Sequence, residues 1–586
     1  MVGVEVWAPN AEIVEALVNN QRLPLTKLEP EAGRSGFWTI DLPAGTDYLL
    51  SVDGNQGFPD PKSRHQPDGV HGPSRVVDLG FEWTDDGWHG RPMLGEVWYE
   101  LHIGTFTDQG TFDSAIARFP HLKELGVAVI EVMPVAGFPG DRGWGYDGVD
   151  LFAVHQAYGG PAAFQRFIDA AHAHGMAVAL DVVYNHLGPS GNYLSQFGPY
   201  FTSRHHTPWG EAVNLDDEDA STVREFLLDN AKQWFFDYHL DALRLDAIHA
   251  FRDDSDFHFL AELAQRKDEW QAELGRPLAL VAESDLNDVK LLEPRSKGGF
   301  GLDAQWDDDF HHALHAFITG EKFGYYVDFG APEVLADVLS NVFLHRGGWS
   351  TFREQDWGRA VPRDMNRDRF VVFNQNHDQV GNRALGDRPD RRLTPGQVMA
   401  SAALMLLSPF TPLLFQGQEW GTDKPFLFFT DHGEDIGPGI QEGRAKEFGG
   451  HGWEELYGAN FDVPDPQSRN TFEASKLDWE TLQNEDPSDT HLQILSGYQA
   501  LISLREMVAG DQHVASDFGD GWFTMHRSRL SVIAHVADHA STHRNVDQIL
   551  WSFGDAKIER ENGQNHLLLG PHSVAVITRL EGETLL

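Results

Sequence analysis

The sequence predicts an α/β protein: a closed (β/α)8 TIM barrel, preceded by a small β-sandwich and followed by a C-terminal β-domain. Three observations predict it. Beyond Gly95, eight near-continuous apolar runs alternate with segments whose apolar residues recur every three or four positions, as doubly buried parallel strands and amphipathic helices require. On either side of this region the runs are short, alternate apolar with polar residues and are broken by turn formers, which is the pattern of antiparallel sheets. Several of the eight runs also end in Asp, Glu, His or Asn.

In chain order, Val4-Glu5-Val6-Trp7, Gly36-Phe37-Trp38-Thr39-Ile40 and Tyr48-Leu49-Leu50-Ser51-Val52 read as strands of a sandwich over residues 1–90. The stretch Gly54 to Arg75, rich in Pro, Gly, Asp and His, reads as a long ordered loop within it. The eight barrel strands are expected at Val97 to Gly104, Val127 to Val135, Ala177 to His186, Asp241 to His249, Leu278 to Ser284, Asp303 to Phe310, Phe370 to Asp378 and Pro412 to Glu419. Helices are expected at Asp113 to Leu125, Pro161 to His174, Ala220 to Tyr238 and Phe257 to Leu274, with a last one at Tyr498 to Met507 closing a barrel over residues 91–508. An open doubly wound sheet is the rival architecture. It is disfavoured because Leu101-His102-Ile103-Gly104-Thr105-Phe106 stands where a Gly-rich phosphate turn would follow the first strand. Trp522 to His526, Ser531 to His535, Ile549 to Phe553 and Ser573 to Ile577 are the strands of a β-domain over residues 509–586. A chain of 586 residues has room for such a division, since single cores stop growing at about 250 to 300 residues.

Composition narrows the function. The formal net charge of −44 argues against nucleic acid and anionic membranes as partners. The absence of cysteine excludes disulfides, thiolate catalysis and Cys-based metal sites. No apolar run is long enough to span a bilayer, and Met1-Val2-Gly3-Val4-Glu5 carries no basic, apolar leader. A soluble, cytoplasmic protein is expected.

In a parallel barrel the strand C-termini converge on one mouth, so polar residues ending apolar runs are the candidates for chemistry. The third run ends Asp181-Val182-Val183-Tyr184-Asn185-His186, the fourth Leu243-Arg244-Leu245-Asp246-Ala247-Ile248-His249, the fifth Ala282-Glu283-Ser284 and the seventh Asn376-His377-Asp378. A single acid there is explained by structure alone. Several acids flanked by apolar residues are costly unless they have a purpose. Acetal cleavage needs one carboxyl to protonate the leaving oxygen and a second carboxylate facing an oxocarbenium-like carbon. Phosphoryl transfer would want a Gly-rich cradle or a Lys clamp, and neither motif stands at the mouth. Zinc hydrolysis is the rival, with His186, His249 and His377 as ligands, but they lie on separate strands with no HExxH pattern.

Taken together, these four segments resemble those of the α-amylase superfamily of glycoside hydrolases. The resemblance implies that Asp246 is the nucleophile, Glu283 the general acid/base and Asp378 the carboxylate that binds sugar hydroxyls. It implies that Arg244 pairs with Asp246, that His186 and His377 donate to the sugar in subsite −1, and that Tyr146 of Gly143-Trp144-Gly145-Tyr146 stacks beneath its ring. Trp144 stands where many amylases have a histidine, and is either a packed loop aromatic or a ligand contact. Asn185 matches a position that ligates calcium in many amylases, yet no complete site can be read, so no metal and no cofactor are assigned.

Further segments narrow the resemblance: Trp306-Asp307-Asp308-Asp309-Phe310-His311-His312, Gly324-Tyr325-Tyr326, Phe415-Gln416-Gly417-Gln418-Glu419-Trp420 and Glu442-Gly443-Arg444-Ala445-Lys446-Glu447-Phe448. In this order they are similar to the malto-oligosyltrehalose trehalohydrolases. That family implies cleavage of the α-1,4 bond beside a terminal trehalose, malto-oligosyltrehalose as the small-molecule substrate and a malto-oligosyltrehalose synthase as metabolic partner. Asp308, Asp309, His311 and Glu419 are candidates for gripping the trehalose, with loop and helix-cap bonding as their alternative. A 1,4-α-glucan branching enzyme is the nearest catalytic rival. A glucan-binding protein that had lost catalysis would lack one of the three carboxylates, and all three are present.

Overall fold

The computed structural model describes residues 1–29, 35–448, 452–458, 461–484, 486–544, 546–561 and 564–578. Eight parallel strands close into a barrel in sequence order: Trp98–Leu101, Val129–Val132, Ala177–Val182, Ala242–Leu245, Ala279–Ala282, Ala304–Trp306, Phe370–Phe373 and Thr411–Phe415. Inside, the bulky Trp98, Trp306 and Phe373 pack against Ala177, Ala179, Ala242 and Ala279. Opposing large and small side chains is how a barrel lumen fills without voids.

The strands are shorter than the apolar runs predict, chiefly at the C-terminal end, where every one of them stops early. The seventh stops at Phe373, and Asn376 caps a short helix, His377–Gly381, by accepting from the Gln379 amide at 2.7 Å. The sixth stops at Trp306, where Asp307 caps the helix Asp308–Thr319. The residues that follow the ladders are largely the buried polar side chains that end the runs, so counting them with the strand overshoots. The helix expected over Asp113 to Leu125 is two, Phe112–Ile116 and Phe119–Leu125, with Pro120 in the first turn of the second. Gly160–Ala173, Ala220–Phe236, Phe259–Leu274 and Thr490–Arg505 occupy the other expected helical segments.

Before the barrel, an antiparallel sheet of Val2–Trp7, Phe37–Leu42 and Thr26–Lys27 faces another of Gln21–Pro24, Val14–Val18, Asp47–Val52 and Ser74–Arg75. Val4, Val6, Val14, Ala16 and Leu50 are buried between them. Trp7 packs edge-on against Tyr200, and Lys62 pairs with Asp229 at 2.6 Å, fastening these sheets to the barrel. After the barrel, a five-stranded sheet and a three-stranded one share a core of Ile533, Leu567, Leu569 and Ala575. Among the described residues, no helix is long and apolar enough to cross a membrane.

Candidate active site

The fourth and fifth strands deliver the two central carboxylates. Asp246 follows the last residue of its strand, and the chain then turns through Ala247 in the left-handed region, at φ 39° and ψ 51°. A non-glycine residue there is strained and is held only by its surroundings. The turn aims the Ala247 N–H at the Glu283 carboxyl, which accepts it. Arg244, fully buried, donates to both oxygens of Asp181 at 2.9 and 2.8 Å and to Asp246 at 2.9 Å. Its other terminal nitrogen lies 3.8 Å from Glu283, and its plane rests on Trp306 at 4.3 Å. The Asn185 amide donates to the Asp246 carboxylate at 2.9 Å and to its backbone carbonyl at 2.8 Å. Asp246 is thus clamped by two donors.

Glu283 lies in a different field. Burial pushes its carboxyl up to about 8, the negative charges of Asp246 and Asp378 push the same way, and Arg244 opposes them. It therefore carries a proton at neutral pH, which is what an acid for a sugar oxygen needs. Asp308, in the first turn of its helix, is raised to about 7 by burial and by Asp378.

Tyr146 is set by local backbone and by two partners. Gly145 before it has φ 98°, and a Cβ there would meet the Pro134 carbonyl oxygen at 2.6 Å. The Tyr146 hydroxyl donates to Asp181 at 2.6 Å and meets His377 Nε2 at 2.8 Å, with the two rings stacked 5.0 Å apart. His377 Nδ1 and its backbone N–H both engage Glu100. Burial pulls the His377 imidazole down, but Glu100 and Asp378 outweigh it and raise it to about 9. A cationic ring then bonds Glu100 on one side and Tyr146 on the other.

Asp378 stands at the mouth, partly exposed, with Asn382 donating to it at 3.1 Å. A cleft of about 710 Å³ brings together Trp144, Tyr146, His186, Trp209, Asp246, Glu283 and Asp378, with Phe428 and Arg444 on its wall. His186 is lowered by burial, and Trp209 stacks on it at 4.1 Å. Trp144 is a packed wall residue: its indole N–H donates to the Leu427 carbonyl at 2.9 Å, and it stacks on Phe426.

Several expectations are corrected. Both His377 nitrogens face protein groups, so here the ring buttresses Tyr146 instead of presenting a free N–H to the cleft. Asp309, one residue and about 100° of helix rotation beyond Asp308, accepts from Asn287 at 2.9 Å and from the Leu344 amide at 2.8 Å. His311 is buried against Tyr326 and His315. Glu419 is wholly buried and bonded to the Tyr99 hydroxyl at 3.0 Å and to His121 at 2.9 Å. These three hold loops and layers together, because the chain has turned inward by the time it reaches them. Asn185 turns its amide to Asp246.

Glu100 and Trp209 also reach the site, beside Asp181 and Trp306 of the segments quoted above. Glu100 had a signal, a lone charge inside Trp98-Tyr99-Glu100-Leu101. Trp209, at the tip of the hairpin Phe201–Thr207 and Gly210–Val213, had none.

A family model described as the α-amylase catalytic domain matches residues 81–209. The malto-oligosyltrehalose trehalohydrolase of Arthrobacter ramosus is 49% identical over 90% of this chain and 91% of its own. That of Rhizobium sp. strain M-11 is 46% identical over 91% of both. A solved structure from Salmonella typhimurium with a provisional alpha-amylase name superposes with a TM-score of 0.87 at 37% identity, covering 98% of this chain and 97% of that one. On this sequence likeness and the closed barrel that carries it, the chain belongs to the malto-oligosyltrehalose trehalohydrolase family of α-amylase-type glycoside hydrolases.

Proposed function

We propose that this protein hydrolyses the α-1,4-glucosidic bond next to the terminal trehalose of malto-oligosyltrehalose, with retention, releasing trehalose and a malto-oligosaccharide. One observation carries the chemistry: a single guanidinium, Arg244, grips Asp246 at 2.9 Å and reaches Glu283 at 3.8 Å, while burial pushes Glu283 up to about 8. Two carboxyls sharing one guanidinium fit the roughly 5 to 5.5 Å separation of retaining enzymes better than the roughly 6.5 to 9.5 Å of inverting ones.

In the first step Glu283 gives its proton to the glycosidic oxygen as trehalose departs, and an Asp246 oxygen bonds to the anomeric carbon. In the second, water attacks that carbon, Glu283 takes the water's proton, and the Asp246 ester bond breaks. Both carboxyls return to their starting states. Tyr146, fixed through Asp181 and His377, offers its ring to the sugar at the reacting centre, and Asp378 accepts that sugar's hydroxyls. Asp308, beside Asp378, is the acid best placed to meet the leaving trehalose.

A substrate whose reducing end is locked as trehalose must come from an enzyme that isomerises the last glucosidic bond of a maltodextrin, a malto-oligosyltrehalose synthase. A chain without cysteine needs no oxidising compartment, which suits a cytoplasmic pair. The test is product chromatography from malto-oligosyltrehalose and from a malto-oligosaccharide of equal length. Trehalose released from the first, with slow attack on the second, is expected. Equal rates, or a branched product, would overturn the proposal.

A further inference from the structure

The loop from Gly54 to Arg75 takes no part in the chemistry above, yet it is firmly held. The Arg75 amide donates to the His65 carbonyl at 2.9 Å, and His65 Nε2 meets Gln156 at 2.6 Å. His71 meets the Tyr193 hydroxyl at 2.7 Å and the Ser190 hydroxyl at 3.2 Å. Between this loop, the segment after the second barrel strand and the chain around Asp431 lies a second cavity of about 590 Å³, within the range of roughly 300 to 1,000 Å³ seen for small-molecule sites.

Chain continuity places this cavity against the catalytic cleft. Pro189 lines the cleft and Ser190 the cavity, while His432 lines the cleft and its neighbours Asp431 and Gly433 line the cavity. The two spaces share a wall. On the cleft side His432 pairs with Asp147 at 2.7 Å, and on the other Arg142 pairs with Asp431 at 2.7 Å. The wall meets the cleft beside Asp147 and Gly188, one residue from Tyr146, which faces the sugar in the reaction proposed above, and two from His186.

The lining favours a neutral, hydroxyl-rich ligand. No Lys or Arg lines the cavity, so an anion would find no partner. Asp68, Asp141 and Asp435 are exposed on it, and among the described residues no hydrogen bond or ion pair engages their carboxylates. The group close enough to chelate a cation lies elsewhere, at His205, Asp216 and Asp254. Carboxylates with both oxygens open accept the paired hydroxyls of a sugar ring, and a loop already ordered forfeits little entropy on binding.

We infer that this cavity binds the distal glucose units of the malto-oligosyl chain, so that the loop before the barrel sets the preferred chain length. The inference rests on the trehalose-releasing reading for its substrate. The test combines Asp68→Ala with Asp435→Ala, both at exposed positions, and compares kcat/KM on maltosyltrehalose and maltohexaosyltrehalose. The double variant should lose on the order of a hundredfold on the long substrate, through KM, and less than twofold on the short one, since each charged hydrogen bond is worth about a factor of ten. An unchanged ratio of the two, or equal losses on both, would overturn the inference. Titration calorimetry of maltoheptaose into Asp246→Asn protein, with and without the double substitution, reads the cavity without turnover. Equal affinities there overturn it whatever the products are, whereas failure of the wild type to release trehalose overturns only the parent reading.

Discussion

Replacing Glu283 with Gln should make the protein more stable while it abolishes turnover, and the gain should depend on pH. The folded protein raises this carboxyl from an ordinary 4.5 to about 8. A carboxyl raised on folding binds its proton more tightly in the native state, so stability is fully present below 4.5, falls as pH rises from there, and levels off above 8. At about 1.4 kcal/mol per unit, the wild type forgoes roughly 3 kcal/mol at pH 7 and approaches about 5 at pH 9. Glutamine has the shape of the protonated acid, keeps an oxygen to accept the Ala247 N–H and cannot ionise. Its variant escapes the penalty. Thermal melts of both proteins between pH 4.5 and 9 should show Tm values that nearly coincide at the acid end and diverge by several degrees by pH 8, given about 2 to 4 °C per kcal/mol in smaller domains. The wild type's kcat/KM should fall tenfold per pH unit above about 8, as the acid is lost. A Tm gap that does not change with pH, or a less stable variant at pH 8, would refute the reasoning.

Asp246→Asn should reduce turnover by at least about a thousandfold with far-ultraviolet circular dichroism unchanged, because the proposed nucleophile is lost while the Arg244 and Asn185 contacts have other anchors; near-normal turnover would reject Asp246 as the nucleophile. Asn185→Ala removes one of the two donors on Asp246, and should lower kcat by about ten- to a hundredfold with KM little changed. Steady-state kinetics showing the reverse, with KM raised and kcat intact, would point to substrate contact. Glu419→Ala strips the partner from the buried Tyr99 hydroxyl and should destabilise by about 1 to 3 kcal/mol; active-site-titrated kcat should hold, and a selective loss of kcat would restore Glu419 to the substrate.

The barrel was readable in the sequence because its signals are local: an apolar run, its flanking helix and the polar residue at its end all lie within one stretch of chain. That is also why Asp246, Glu283 and Asp378 stood out. The four trehalose-side candidates show the limit. Asp308, Asp309 and His311 share one short segment, and only the helix phase set by the Asp307 cap separates the one beside Asp378 from the two bound to Asn287 and Tyr326. Glu283 directly follows its strand, whereas Glu419 comes after Gln416-Gly417-Gln418, where the left-handed Gly417 turns the chain toward Tyr99 and His121 instead of the mouth. The intervening glycine is visible in the sequence, but the direction of its turn is not.

The acid's proton depends on residues that no single motif contains. Glu283 is raised by burial and by Asp246, Asp378 and Asp308, which come from three other strand ends, and is restrained by Arg244. The same guanidinium is shared with Asp181, whose carboxylate also receives Tyr146, while Tyr146 bonds His377 and His377 bonds Glu100. Six strands therefore contribute to one charge network. Removing any member would alter the field at Glu283 as well as its own contacts, so effects within this network should be far from additive. Asp68 and Asp435, in the neighbouring cavity and outside the network, should combine additively with each of its members.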